Sequence, residues 1–184
     1  MSNRSKAAVL LGRFQPFHLG HLALVKQILI ECKDLYLVIG SSQENYTPHN
    51  PFTTGERIRM IRHSLLDAKI DMNRILLIHV ADDDNNARWL SNVMSYVPPF
   101  DLLYSGNLFI TALLAHESIV LRNPKFILKD IYNGTKIRNM ILENNLQWQN
   151  LVPTPVKEII IEIKGVERIQ KLNSSWTDSP FSYE

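Results

Sequence analysis

The sequence predicts an α/β domain in which a parallel sheet is covered by helices on both faces. Three observations carry that expectation. Short apolar runs alternate with segments of helical periodicity along the chain, the βαβα pattern that demands parallel strands. The loops rich in Gly, Ser, Asn, Asp and His all follow strand candidates, so they gather at one edge of such a sheet. No repeat, linker or change of composition divides the 184 residues, a length that suits one domain with a real core.

The elements follow in order. Ala7 to Leu11 reads as a buried strand, and His21 to Glu31 carries Leu22, Val25, Ile28 and Leu29 at helical spacing. Leu35 to Ile39 is a second strand, closed by Gly40, and Glu56 to Ala68 a second helix with Ile58, Ile61 and Leu65 on one face. Ile75 to Val80 and Ala87 to Val97 form a third unit, stopped by Pro98 and Pro99. Leu102 to Tyr104 is a short strand before Ser105-Gly106-Asn107, and Leu108 to Ala115 is expected to be helical. Ile119 to Leu121 and Phe126 to Leu128 are weaker strand signals; Lys136 to Asn144 and Val156 to Leu172 read as the last helices. The domain is expected to end near residue 173, with a polar tail over 174–184.

Composition excludes several classes. A formal net charge of +2 and the lack of a Lys/Arg run give no footprint for nucleic acid. The single Cys32 rules out an intrachain disulfide and any Cys-rich metal pattern, and falls where packing explains it. No apolar run approaches the roughly 20 residues of a membrane span, and Met1 to Lys6 is polar, so a cytoplasmic protein is expected.

The chemistry concentrates in Gly12-Arg13-Phe14-Gln15-Pro16-Phe17-His18-Leu19-Gly20-His21. His18 and His21 are three apart at the opening of a helix, which puts their rings on one face. The helix start offers free N–H groups and partial positive charge to a phosphate. Gly20 allows close approach to the backbone, Pro16 stiffens the turn, and Arg13 adds a fork that matches phosphate. Either histidine alone would be an ordinary polar residue; the set behind a buried strand is not. Zinc would need further ligands, which the spacing does not supply, and the Walker A pattern is absent.

This decapeptide resembles the signature of the HxGH nucleotidyltransferase superfamily, and its fuller form resembles the archaeal-type nicotinamide-nucleotide adenylyltransferases. The resemblance runs from about residue 7 to 172. It implies a Rossmann-like fold and adenylyl transfer from ATP to nicotinamide mononucleotide, giving NAD and pyrophosphate. Asn133-Gly134-Thr135-Lys136-Ile137-Arg138 resembles the family's second signature, with Asn133 where Ser is usual. Asn caps a helix as well as Ser, but lacks the hydroxyl that would touch phosphate.

By that resemblance the catalytic set is His18, His21, Arg13 and Arg138, with ATP also held by Gly12, Phe14, Gln15, Gly20, Gly134, Thr135 and Ile137. Ser41, Asp82, Asn86, Trp89, Gly106 and Asn107 would bind the nicotinamide nucleotide, Trp89 by stacking on its cationic ring. Trp89 also has a plain reading as a core residue beside Leu90 and Val93. Thr53 and Glu56 form a capping-box pattern that explains both, while Arg57 in that first turn opposes the helix dipole and points to a carboxylate or phosphate partner. His49 stands where the family often has Arg. Mg²⁺ would arrive with ATP and take no direct protein ligand, and a homo-oligomer is implied. Other acceptors used in the superfamily, pantetheine phosphate and flavin mononucleotide among them, are the competing readings, together with a nucleotide sensor that lacks turnover.

Overall fold

The computed structural model describes residues 6–105, 119–122 and 131–177. Strands β1 (Ala7–Gly12), β2 (Asp34–Ile39), β3 (Ile75–His79), β4 (Leu102–Tyr104) and β5 (Val120–Arg122) form one sheet in the order β3-β2-β1-β4-β5. Every neighbouring pair is parallel, as the alternation of elements requires. The helices are α1 (Leu19–Glu31), α2 (Thr54–Asp67), α3 (Asn86–Tyr96), α4 (Gly134–Leu142), α5 (Thr154–Glu162) and α6 (Gly165–Thr177).

The period of two along the strands sorts their side chains into two cores. Ala8 and Leu10 of β1 and Leu35, Leu37 and Ile39 of β2 pack with Leu24, Met60, Ile137, Val156 and Ile169, so α1, α2, α4, α5 and α6 cover one face. Val9, Val38 and Leu103 point the other way and meet Val93 and Val97 of α3. Both faces are covered, and the sheet is doubly wound. The chain steps outward from β1 to β2 and β3, then returns to the other side of β1 for β4, which makes the carboxyl ends of β1 and β4 the switch point where a ligand crevice opens.

Several boundaries differ from expectation. The segment 156–172 is not one helix: Lys164 takes a left-handed φ of 53° between α5 and α6. Gly165 is needed just after it, since a Cβ there would lie 3.0 Å from both the Ile160 carbonyl oxygen and the Phe52 ring. Helix α6 then runs on to Thr177, four residues into the expected tail. Helix α1 begins at Leu19 rather than His21, because His18 itself is the cap. The expected helix over 108–115, the strand over 126–128, and Gly106 and Asn107 lie outside the described residues. Cys32 and Trp148 are buried, as packing residues should be, and burial pushes the Cys32 thiol up to about 11. No helix among the described residues is long and apolar enough to cross a membrane.

Candidate active site

The turn after β1 places two imidazoles face to face, with ring centroids 3.5 Å apart and planes 17° from parallel. They are locked by a reciprocal cap: the His21 N–H donates to His18 Nδ1 and the His18 N–H donates to His21 Nδ1, each at 3.3 Å. An accepting Nδ1 carries no proton, so each neutral ring keeps its hydrogen on Nε2. Phe17 stacks on the His21 ring and Phe14 meets it edge-on at 4.8 Å. Burial lowers the His18 imidazole to about 4, and burial with the neighbouring His18 holds His21 well below the usual histidine value. Two cationic rings at this separation would repel strongly, and protonation of Nδ1 would abolish either cap. The pair is therefore two neutral N–H donors.

Helix α4 brings the second motif to the same place. Arg138 is buried, donating to the Gln15 carbonyl oxygen at 2.7 Å and to Thr135 Oγ1 at 3.2 Å. Burial, with repulsion from Arg13, lowers its guanidinium to about 10, so it stays cationic at neutral pH. Asn133 caps the helix through Oδ1, which accepts from the Thr135 and Lys136 amides. Gly134 is required by closeness: a Cβ would sit 2.9 Å from the Gln15 carbonyl oxygen. Between α1 and α4 lies a cleft of about 260 Å³, walled by Arg13, Phe14, Gln15, His18, His21, Tyr132, Asn133, Gly134, Thr135 and Arg138. Its described wall holds two guanidinium groups, two imidazole donors, the hydroxyls of Tyr132 and Thr135 and amides, and no carboxylate. That is the chemistry of a polyanion site. Arg13 is exposed at its mouth.

Several of the expected site residues serve the site from behind. Gln15 is buried and its amide is engaged with Phe52, donating to the carbonyl and accepting from the N–H. Ile137 is a core residue. Phe14, at φ 52°, lies under Gly12, where a Cβ would come within 2.9 Å of its ring. Gly20 was expected to make room for a ligand; the space it leaves is taken by Tyr132, whose Cβ would be 2.7 Å from an added methyl, and by the His18 ring. Tyr132 itself had no signal in the sequence.

On the β2 side, Ser41 is buried at φ 49°, and its N–H donates to Asp82 Oδ1 at 3.2 Å, which joins the loops after β2 and β3. Arg57, expected to meet a phosphate or carboxylate, forms no ion pair with a carboxylate among the described residues, although the charge of Asp82 favours its cation. It is completely buried and donates to the carbonyl oxygens of Arg13, Gly40 and Ser41 and to Thr54 Oγ1, at 2.8–3.0 Å. Thr53 and Glu56 do form the capping box that opens α2. Trp89 is half-buried against the α3 core, with its indole Nε1 enclosed and unpartnered. Asn86 is the first residue of α3, and His49 lies exposed in the loop before α2. Asp83 pairs with Arg88, and among the described residues no group of His, Cys, Asp and Glu is arranged to hold a metal.

Comparison with known proteins agrees with this geometry. The cytidylyltransferase-like family matches residues 9–139, which span both motifs of the cleft. A nicotinamide-nucleotide adenylyltransferase of Caldivirga maquilingensis is 42% identical over 160 residues, covering 87% of this chain and 90% of that protein. One of Methanolobus tindarius is 39% identical over 94% of this chain and 98% of its own length. Among solved structures, a bifunctional NMN adenylyltransferase/ADP ribose pyrophosphatase of Francisella tularensis, in complex with AMP and a manganese ion, matches with a TM-score of 0.73 at 19% identity. That match covers 98% of this chain and 58% of the longer one, and shows the shared fold. A cleft that pairs the His18–His21 turn with Arg138, on a sheet of this order and with relatives this similar over nearly their whole length, makes the chain a member of the cytidylyltransferase-like family, within the group of the nicotinamide-nucleotide adenylyltransferases.

Proposed function

We propose that the protein transfers the adenylyl group of ATP to nicotinamide mononucleotide, forming NAD and releasing pyrophosphate. The observation that carries this reading is the cleft in which neutral His18 and His21 face cationic Arg138 and Arg13 with no carboxylate on the described wall. The 5′-phosphate of the mononucleotide attacks the α-phosphorus in line; a new P–O bond forms as the bond to the pyrophosphate oxygen breaks. The attacking phosphate, with a second pKa near ~6, is largely ionised at neutral pH, so no general base is needed. Nor could the histidine pair act as one through Nδ1, since both Nδ1 atoms are caps. Catalysis is then positioning and charge stabilisation. The Nε2 hydrogens of His18 and His21 donate to phosphate oxygens, and Arg13 and Arg138 take the charge gathering on the leaving pyrophosphate.

The donor set fits a divalent ion that comes as part of the ATP chelate, Mg²⁺ in this reading, held by phosphate and water. The acceptor lies across the carboxyl ends of β2 and β3, near Ser41, Asp82, Asn86 and Trp89, with Gly106 and Asn107 assigned by the sequence resemblance. Assembly with copies of itself belongs to the same reading and rests on that resemblance, while cytoplasmic residence is carried over from the sequence as its default reading.

The test is a product assay with ATP and a panel of phosphate acceptors. Pyrophosphate and NAD should appear with nicotinamide mononucleotide, and pantetheine phosphate or flavin mononucleotide should give far less. His18→Ala should lower kcat by roughly 100-fold while ATP still binds. ATP binding without pyrophosphate release in the native protein would make it a sensor instead.

A further inference from the structure

Among the described residues Arg57 is the largest side chain that solvent does not reach at all, and nothing in its own element calls for it. It stands in the first turn of α2, where the helix dipole disfavours a cation. Burial, joined by repulsion from Arg13 and opposed by the Asp82 carboxylate, lowers its guanidinium to about 10, so at neutral pH the charge is kept. What it meets there is a set of backbone carbonyls from two different loops. Nη1 donates to Arg13 and to Gly40, and Nη2 to Ser41 and to Thr54 Oγ1. Thr54 in turn donates to the Ser42 carbonyl at 2.8 Å.

Two further facts give the contact meaning. Arg13 O belongs to the peptide that enters Phe14 at φ 52°, and Ser41 itself lies at φ 49°; both are left-handed conformations that a residue with a side chain adopts only when its surroundings impose them. The peptide N–H of Ser41 is held on its other side by Asp82, whose negative charge also favours the Arg57 cation. The loop after β2 is thus pinned between a guanidinium and a carboxylate, and the same guanidinium pins the loop after β1.

We propose that Arg57 is a positioning residue for the transfer step, fixing the separation between the loop that holds the triphosphate and the loop that holds the acceptor phosphate. The proposal rests on the adenylyl-transfer reading of this site. Each loop can bind its own substrate without Arg57; what the guanidinium sets is their relative placement, on which in-line attack depends more steeply than either binding step. Lysine keeps the charge but offers a single point in place of the two-pronged planar fork.

The experiment compares the native protein with Arg57→Lys and Thr54→Val, measuring kcat, both KM values and the thermal midpoint. Arg57→Lys should lose roughly 10- to 100-fold in kcat while KM for ATP and for the mononucleotide each stay within about threefold. Thr54→Val, which removes one partner and leaves the arginine, should show a smaller kcat loss of the same kind. A kcat within about twofold of native in Arg57→Lys, or a loss that appears as weaker binding of both substrates in step with a lowered midpoint, overturns the proposal. Should Arg57→Lys not fold, Thr54→Val decides: a lower kcat at unchanged KM supports the role, an unchanged kcat removes it. Turnover by the native protein in the same assay tests the underlying reading separately, since no NAD there would refute adenylyl transfer itself.

Discussion

His18 and His21 do structural and chemical work with opposite ends of the same ring. Nδ1 closes the start of α1, and the cap leaves Nε2 with the hydrogen. The chain thereby carries two neutral donors in a place where a lone histidine could ionise. The consequence for stability has a definite sign. His18 sits at about 4 in the folded protein, against 6.5 in an unfolded chain, so the unfolded state binds more protons as pH falls between those values. Stability should be full above pH ~6.5 and decline by up to about 1.4 kcal/mol per pH unit down to pH ~4, where the folded ring titrates too. Asparagine keeps an acceptor for the cap and does not titrate. Urea midpoints between pH 7.5 and 4.5 should therefore fall less steeply in His18→Asn than in the native protein; identical slopes would mean His18 is not the group responsible.

At the scale of elements, three helix starts carry the site, and each is closed by a side chain: α1 by His18, α2 by Thr53 with Glu56, α4 by Asn133. At the cap on α4 this chain has Asn133 where the sequence resemblance implies Ser. Asn133 accepts from the two amides that follow Gly134, so helix initiation survives the loss of a hydroxyl. Asn133→Ala should cost about 1 kcal/mol through the lost cap. Asn133→Asp should keep or raise stability, since an anion suits a helix start. It also puts a carboxylate on the wall proposed to hold the phosphates, and KM for ATP should rise roughly tenfold or more. Thermal unfolding and ATP kinetics on the two variants separate the effects; an aspartate variant with native KM would show that the triphosphate does not reach Asn133.

Over the whole molecule, the C-terminal helices brace the site from outside. Arg168 of α6 holds both Glu56 oxygens, at 2.7 and 2.9 Å, donates to the Pro51 carbonyl and lies 4.8 Å from the Tyr46 ring centre. Burial would raise the Glu56 carboxyl, but Arg168 and the Thr53 N–H outweigh it and hold it below its usual value. The pair is largely enclosed, so Arg168→Met should destabilise the protein by about 2 kcal/mol. Because Glu56 is held low, the stability it adds is present above about pH 4.5 and lost as pH falls further. The variant should accordingly show less of that acid sensitivity in denaturant titrations.

The parallel sheet with both faces covered, and the gathering of the loops after β1, β2 and β3 at one edge, were legible in the chain, because strand and helix periods and the placement of Gly, Pro and His are local properties; that residues 133–138 join the first motif was implied only by the family resemblance. The role of Arg57 was half legible. Its position against the helix dipole marked it as needing a partner, but the partners are carbonyls of loops 16 to 44 residues away, which carry no sequence signal at all. The same holds for Gly20, whose missing side chain makes room for Tyr132, and for Gln15, whose amide is used up on Phe52. Even the histidine pair follows this division. Their spacing put two imidazoles on one face of a helix start; that each ring is a neutral Nε2–H donor depends on the backbone folding back to give every Nδ1 an N–H, and on enough burial to keep the proton away.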